Sequence, residues 1–105
     1  MGCDKNPKPI EVSEDPWGRG WILEDVWIDK KEGYETWEPH VQAIKFEGGN
    51  LALRFCYWER KPHGGRGKFR NVAMFVYDYT LEELREEAKK HKADIILMLF
   101  KKLAE

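Results

Sequence analysis

Arg60-Lys61-Pro62-His63-Gly64-Gly65-Arg66-Gly67-Lys68-Phe69-Arg70 carries five lysines and arginines in eleven residues and no acid. Cations at this density repel one another unless counterions or a polyanion lie among them, so the segment reads as an anion-facing surface, most simply for nucleic acid. Arg60, Lys61, Arg66, Lys68 and Arg70 are the candidate phosphate contacts, and Trp58 is the platform on which a base would stack. Pairing Trp58 with Val72 and Cys56 with Met74 would set Arg60 opposite Arg70, a like-charge pair that calls for an anion between its members. The same residues suit a solvated hairpin tip somewhat better than an anion site, since glycine makes the turn and cations discourage edge pairing.

Other chemistry finds less support. A phosphate-binding loop would need glycine where Pro62 stands and a hydroxyl where Phe69 stands. Cys56 falls within an apolar alternating run, the setting of a small buried hydrophobe, and no histidine neighbours it in sequence. His40, His63 and His91 share no metal-ligand spacing, while Glu24-Asp25 and the pair Glu35 and Glu38 read as solvated acids. No catalytic residue, metal or cofactor is therefore assigned, and the expectation is a small non-enzymatic binding module. Cys3 and Cys56 make neither a disulfide framework nor a redox pair, which fits a reducing, cytoplasmic setting. No apolar run nears the roughly 20 residues needed to cross a bilayer, so no membrane partner is expected.

Net charge is −1, so any electrostatic signal lies in how charge is distributed. Nine acids oppose three bases between Glu11 and Glu38, whereas six bases oppose one acid between Arg54 and Arg70. Halves of opposite sign can close within one fold, mate between two copies, or leave the basic part free for a polyanion. The alternative function is thus a self-associating or protein-partner module, a homodimer formed through the C-terminal helix or the complementary halves. Trp17, Trp37, Leu99 and Phe100 are its interface candidates, because large apolar side chains anchor interfaces.

The elements that would position these residues follow from periodicity. A chain of 105 residues holds one domain, with residues 1–20 an extended, proline-bearing N-terminal arm and residues 21–105 a single α+β domain. Residues 21–28, 41–46, 51–58 and 72–77 read as strands, and Glu47-Gly48-Gly49-Asn50 supplies a tight turn between the second and third. The last two strands are apolar on both faces, so one face should meet the C-terminal helix and the other a loop, the arm or a second subunit. Thr80-Leu81-Glu82-Glu83 has the form of a capping box that opens a helix. Unbroken to Ala104, that helix would be about 36 Å long, too long for so small a globule, so a break near residues 91–94 or a projecting end is expected. Residues 95–100 could also form a buried strand, but Leu and Met dominate and Lys101-Lys102 suit a helix C-terminus. The predicted architecture is a four-stranded antiparallel meander followed by one long or broken C-terminal helix.

Overall fold

The computed structural model describes residues 2–11, 18–70 and 76–104. Its centre is the antiparallel pair β4 (Trp37–Phe46) and β5 (Leu51–Arg60), closed by the turn at residues 47–50, where Gly49 takes a φ of 90°. Strand alternation sends Val41 and Ala43 to one face, with Leu53 and Phe55 beside them, and Glu38, His40 and Gln42 to the other. Strand β4 begins at Trp37, before the apolar run at 41–46, and takes in Pro39, which reads as a strand breaker. Its carbonyl still accepts from the Ile28 amide at 3.2 Å.

Strand β3 (Arg19–Trp27) pairs with β4 through a bulge between Ile22 and Glu24, and β6 (Arg66–Arg70) pairs with the far edge of β5. Two short strands share the other edge of β3. They are β1 (Cys3–Asp4), opposite Val26 and Asp25, and β2 (Lys8–Glu11), opposite residues 19–22. The described residues thus form an antiparallel sheet of six strands with two C-terminal helices, which corrects the expected four-stranded meander with one helix. The extra strands come from the proline-bearing N-terminal segment. Their pairing is set by the exposed edge of β3 rather than by their own residues, two and four long, which carry too little periodicity to read. Of the expected return strand at 72–77, residues 72–75 lie outside the described residues, and residues 76 and 77 precede a helix.

Helix α1 (Asp78–Lys90) begins two residues before the expected capping box, with Tyr77 at the N-cap. Thr80 is inside the helix and fully buried, its hydroxyl 3.3 Å from that of Tyr34, so the tertiary partner displaces the capping role. Leu84 and Ala88, one turn apart, present the face that meets Val26, Val41 and Ala43. The helix stops at His91, where the amides of Lys92 and Ala93 return to the carbonyls of Lys89 and Ala88 at 3.2 and 2.8 Å. This double closure needs a left-handed residue, and Lys92 supplies it with a φ of 54°. Helix α2 (Asp94–Leu103) then doubles back, so residues 95–100 are helical. Its N-terminus is held from the sheet, because the buried carboxylate of Glu24 accepts the Ile96 amide at 2.8 Å. Glu24 is therefore a cap donated across the core and not a solvated acid. Fully burying side chains such as Leu84 and Ile96 contributes about 2 kcal/mol each.

A left-handed lysine is strained where glycine is not. Lys92→Gly should therefore raise unfolding stability by roughly 1 kcal/mol in a urea titration, whereas Lys92→Val should lower it.

Candidate functional site

The basic segment is not one loop. Strand β5 runs through Arg60 and β6 starts at Arg66, leaving only residues 61–65 as the connection. Gly64 and Gly65, with φ of 98° and 79°, turn the chain, and the Lys61 amide closes it on the Gly65 carbonyl at 3.1 Å. The tight turn fixes the register: Arg60 opposes Arg66, Trp58 opposes Phe69, and Tyr57 opposes Arg70. The expected pairing of Arg60 with Arg70 and Trp58 with Val72 is corrected accordingly, since a glycine pair this early in the segment shortens the hairpin.

The cations differ sharply in surroundings. Arg60, only 11% exposed at its side chain, donates through Nε to the carbonyls of Tyr34 and Trp37 at 2.8 and 3.1 Å. Its Nη2 donates to the Ile28 carbonyl at 2.9 Å and its Nη1 to Glu38 Oε2 at 3.1 Å. One guanidinium thereby ties the β3–β4 connection to β5. Arg66 donates through Nε to Glu38 Oε1 at 2.8 Å, and its guanidinium lies over the rings of Trp27 and Trp58 at 5.2 and 5.5 Å. Arg70 makes a long, exposed contact with Glu59 at 3.4 Å. Lys61 and Lys68 are exposed and have no carboxylate partner among the described residues. Trp58 itself is half-buried, its ring 5.0 Å from that of Phe69.

Beneath Arg66 lies a polar chain that crosses the sheet face opposite the helices. His40, fully buried, has Nδ1 at 2.7 Å from Asp25 Oδ1 and Nε2 at 2.7 Å from Glu38 Oε1. Its ring stacks on Trp27 at 5.3 Å and 24°. Gln42, next along the same face, accepts from Arg54 Nε at 2.8 Å. The expectation that Asp25 and Glu38 are solvated acids is corrected here, since both are bonded to the buried His40, and neither they, His40 nor Trp27 was expected to form a site. Polar residues at 38, 40 and 42 alternating with apolar 41 and 43 are the signal that a polar strand face exists, but the proline at 39 masks it.

The remaining candidates lie apart. Trp37 is half-buried at the core's edge, packed with Tyr34 and edge-on to Tyr57 at 5.9 Å. Leu99 and Phe100 are also half-buried against the core, Phe100 meeting Phe55 edge-on at 6.1 Å, while Trp17 lies outside the described residues. Burial pushes the Cys56 thiol up to about 12, and burial also raises the thiol of Cys3. Both cysteines are free. Among the described residues no group of three or more His, Cys, Asp and Glu side chains could hold a metal ion, and no helix is long and apolar enough to cross a membrane.

No family model, characterised protein or solved structure matches the chain. His40→Leu, which preserves bulk but removes both hydrogen bonds, should cost roughly 3 kcal/mol of unfolding stability, because Asp25 and Glu38 lose a shared partner in a buried setting. A loss below about 0.5 kcal/mol by urea unfolding would mean that the polar chain adds nothing.

Proposed function

We propose that the protein is a self-associating module whose α1–α2 surface pairs with a second copy of the chain. The observation that carries this is α2 itself: Ile95 to Phe100 are all apolar, yet Ile96 alone in the helix is fully buried, and Met98 and Leu103 stand 41% and 70% exposed. A helix apolar around its circumference calls for cover on every side. Leu81, Leu97, Phe100 and Leu103 line a groove of about 730 Å³ between the two helices.

Charge along the groove argues for a second copy as its occupant. Asp78, Glu82, Arg85 and Lys89 line it from α1 at spacings of four, three and four residues, which is one stripe of a helix. Acids occupy the first half of the stripe and bases the second. Two such stripes laid antiparallel about a two-fold axis place Asp78 against the partner copy's Lys89 position and Glu82 against its Arg85 position, a self-complementary pattern. Within the chain these cations have weak alternatives, Arg85 with Glu82 at 4.0 Å and Lys89 with Glu86 at 3.2 Å, both exposed.

Light scattering after gel filtration should give about twice the 12.5 kDa chain mass. Leu103→Glu and Arg85→Glu should each weaken the dimer about tenfold or more, and Glu82→Arg with Arg85→Glu in one chain should restore it by exchanging the signs. A monomer at about 100 μM, far above the concentration at which a specific dimer assembles, would end the proposal.

A second activity, binding of nucleic acid or another polyanion, draws support from Lys61 and Lys68, exposed and unpaired among the described residues. With Arg60 and Arg66 held by Glu38, and Arg70 in contact with Glu59, those two lysines would carry most of it. An oligonucleotide titration at low salt should then show binding that Lys61→Ala with Lys68→Ala abolishes, and no binding to the unaltered chain would dismiss it.

A further inference from the structure

We propose that Trp27 and Trp58 form a cation cage for an arginine side chain of a partner polypeptide, and that Arg66 fills this cage as the chain's own plug. The cage lies on the sheet face opposite the helices and is independent of the α1–α2 groove.

Strand spacing builds the cage. Neighbouring strands are about 4.8 Å apart and residues rise about 3.4 Å along a strand, so Trp27 and Trp58, two strands and two residues apart on one face, stand about 12 Å apart diagonally across β4. That gap admits a single planar group between two indoles. Trp27 rises from β3 opposite His40, and Trp58 rises from β5 opposite Glu38, so both walls stand over the polar residues of β4. The Arg66 guanidinium carbon is 5.2 Å from one ring centre and 5.5 Å from the other, within the range of cation–π attraction. Glu38 Oε1 supplies the acceptor below.

Walls and floor are held without Arg66. Trp27 stacks on His40 and donates through Nε1 to Asp29 at 3.2 Å, and Trp58 leans on Phe69. Glu38 keeps His40 on one oxygen and Arg60 on the other when Arg66 leaves. Arg66 is the most loosely held of the three partners: its side chain is 43% exposed, it makes one side-chain hydrogen bond among the described residues, and it directly follows the glycine turn at 64 and 65. A guanidinium arriving from outside meets the same two π faces and the same acceptor. It therefore competes with Arg66 on equal chemical terms, and Arg66 has the advantage of being tethered.

Arg66→Ala vacates the cage. Titrated with N-acetylarginine amide or methylguanidinium and followed by tryptophan fluorescence and melting temperature, it should bind saturably with a millimolar Kd and melt higher as it fills. The unaltered chain should bind either probe at least about tenfold more weakly. Methylurea, which lacks the charge, and tetramethylammonium, which lacks donors for Glu38, should bind Arg66→Ala at least about tenfold more weakly than methylguanidinium. Arg66→Gln serves in the same titration if the alanine variant does not fold. No saturable response in a folded variant, an equal response to methylurea, or a response that survives Trp58→Ala in the Arg66→Ala background would overturn the cage. Tetramethylammonium binding as tightly as methylguanidinium would overturn its assignment to arginine.

Discussion

The carboxylate of Glu38 is the junction on which the rest of the structure depends. Nearly buried on β4, it meets a histidine of its own strand, an arginine from the end of β5 and an arginine from the start of β6. A buried acid left unpaired is costly, so His40 on one oxygen and Arg60 on the other have to be in place together, while Arg66 adds a second bond to the oxygen that His40 already holds. Their arrival sets the fold around it. Arg60 must sit where it also collects the carbonyls of Ile28, Tyr34 and Trp37, which fixes the path of the β3–β4 connection. Arg66 must face Arg60 across the hairpin, which places two like charges side by side and makes Glu38 the counterion that permits it.

This junction divides the sheet into two faces with different physics. On the helix side, Val26, Val41, Ala43, Leu84, Ala88 and Ile96 exclude water and need no directional partner, and polar contacts there include the Glu24 carboxylate that seats α2 and the Thr80–Tyr34 hydroxyl pair. On the other side His40, Gln42 and Cys56 are just as buried, but there polar groups satisfy one another in a chain from Asp25 to the arginines. Close packing holds the first face and hydrogen-bond geometry the second. Surface left exposed on each is then available for contact: the apolar flank of α2 on one, the indole pair around Arg66 on the other.

How much of this is legible in the residues depends on whether the controlling interaction is local. The Gly48-Gly49 turn, the alternation of 51–58 and the helical end of the chain follow from neighbours in sequence, and the structure places them there. The break between the helices falls at residues 91–93, where two helices of modest length replace one too long for the fold. The N-terminal strands are set by a distant edge and leave no periodic trace in residues 3–11. Thr80 looks like a cap until Tyr34, 46 residues away, occupies its hydroxyl. For the basic segment, composition reveals the cations but not the acids that reach them, since Glu38 precedes Arg66 by 28 residues and is separated from it by all of β5.

A double-mutant cycle on the two arginines of Glu38 tests this account most directly. Glu38→Gln is combined in turn with Arg60→Met and Arg66→Gln, and coupling energies are taken from urea unfolding. If Arg60 is the structural partner and Arg66 a displaceable one, coupling should be about 2 kcal/mol or more for the first pair and under about 1 kcal/mol for the second. Equal couplings, or the larger value for Arg66, would show that Arg66 belongs to the permanent junction and contradict the account.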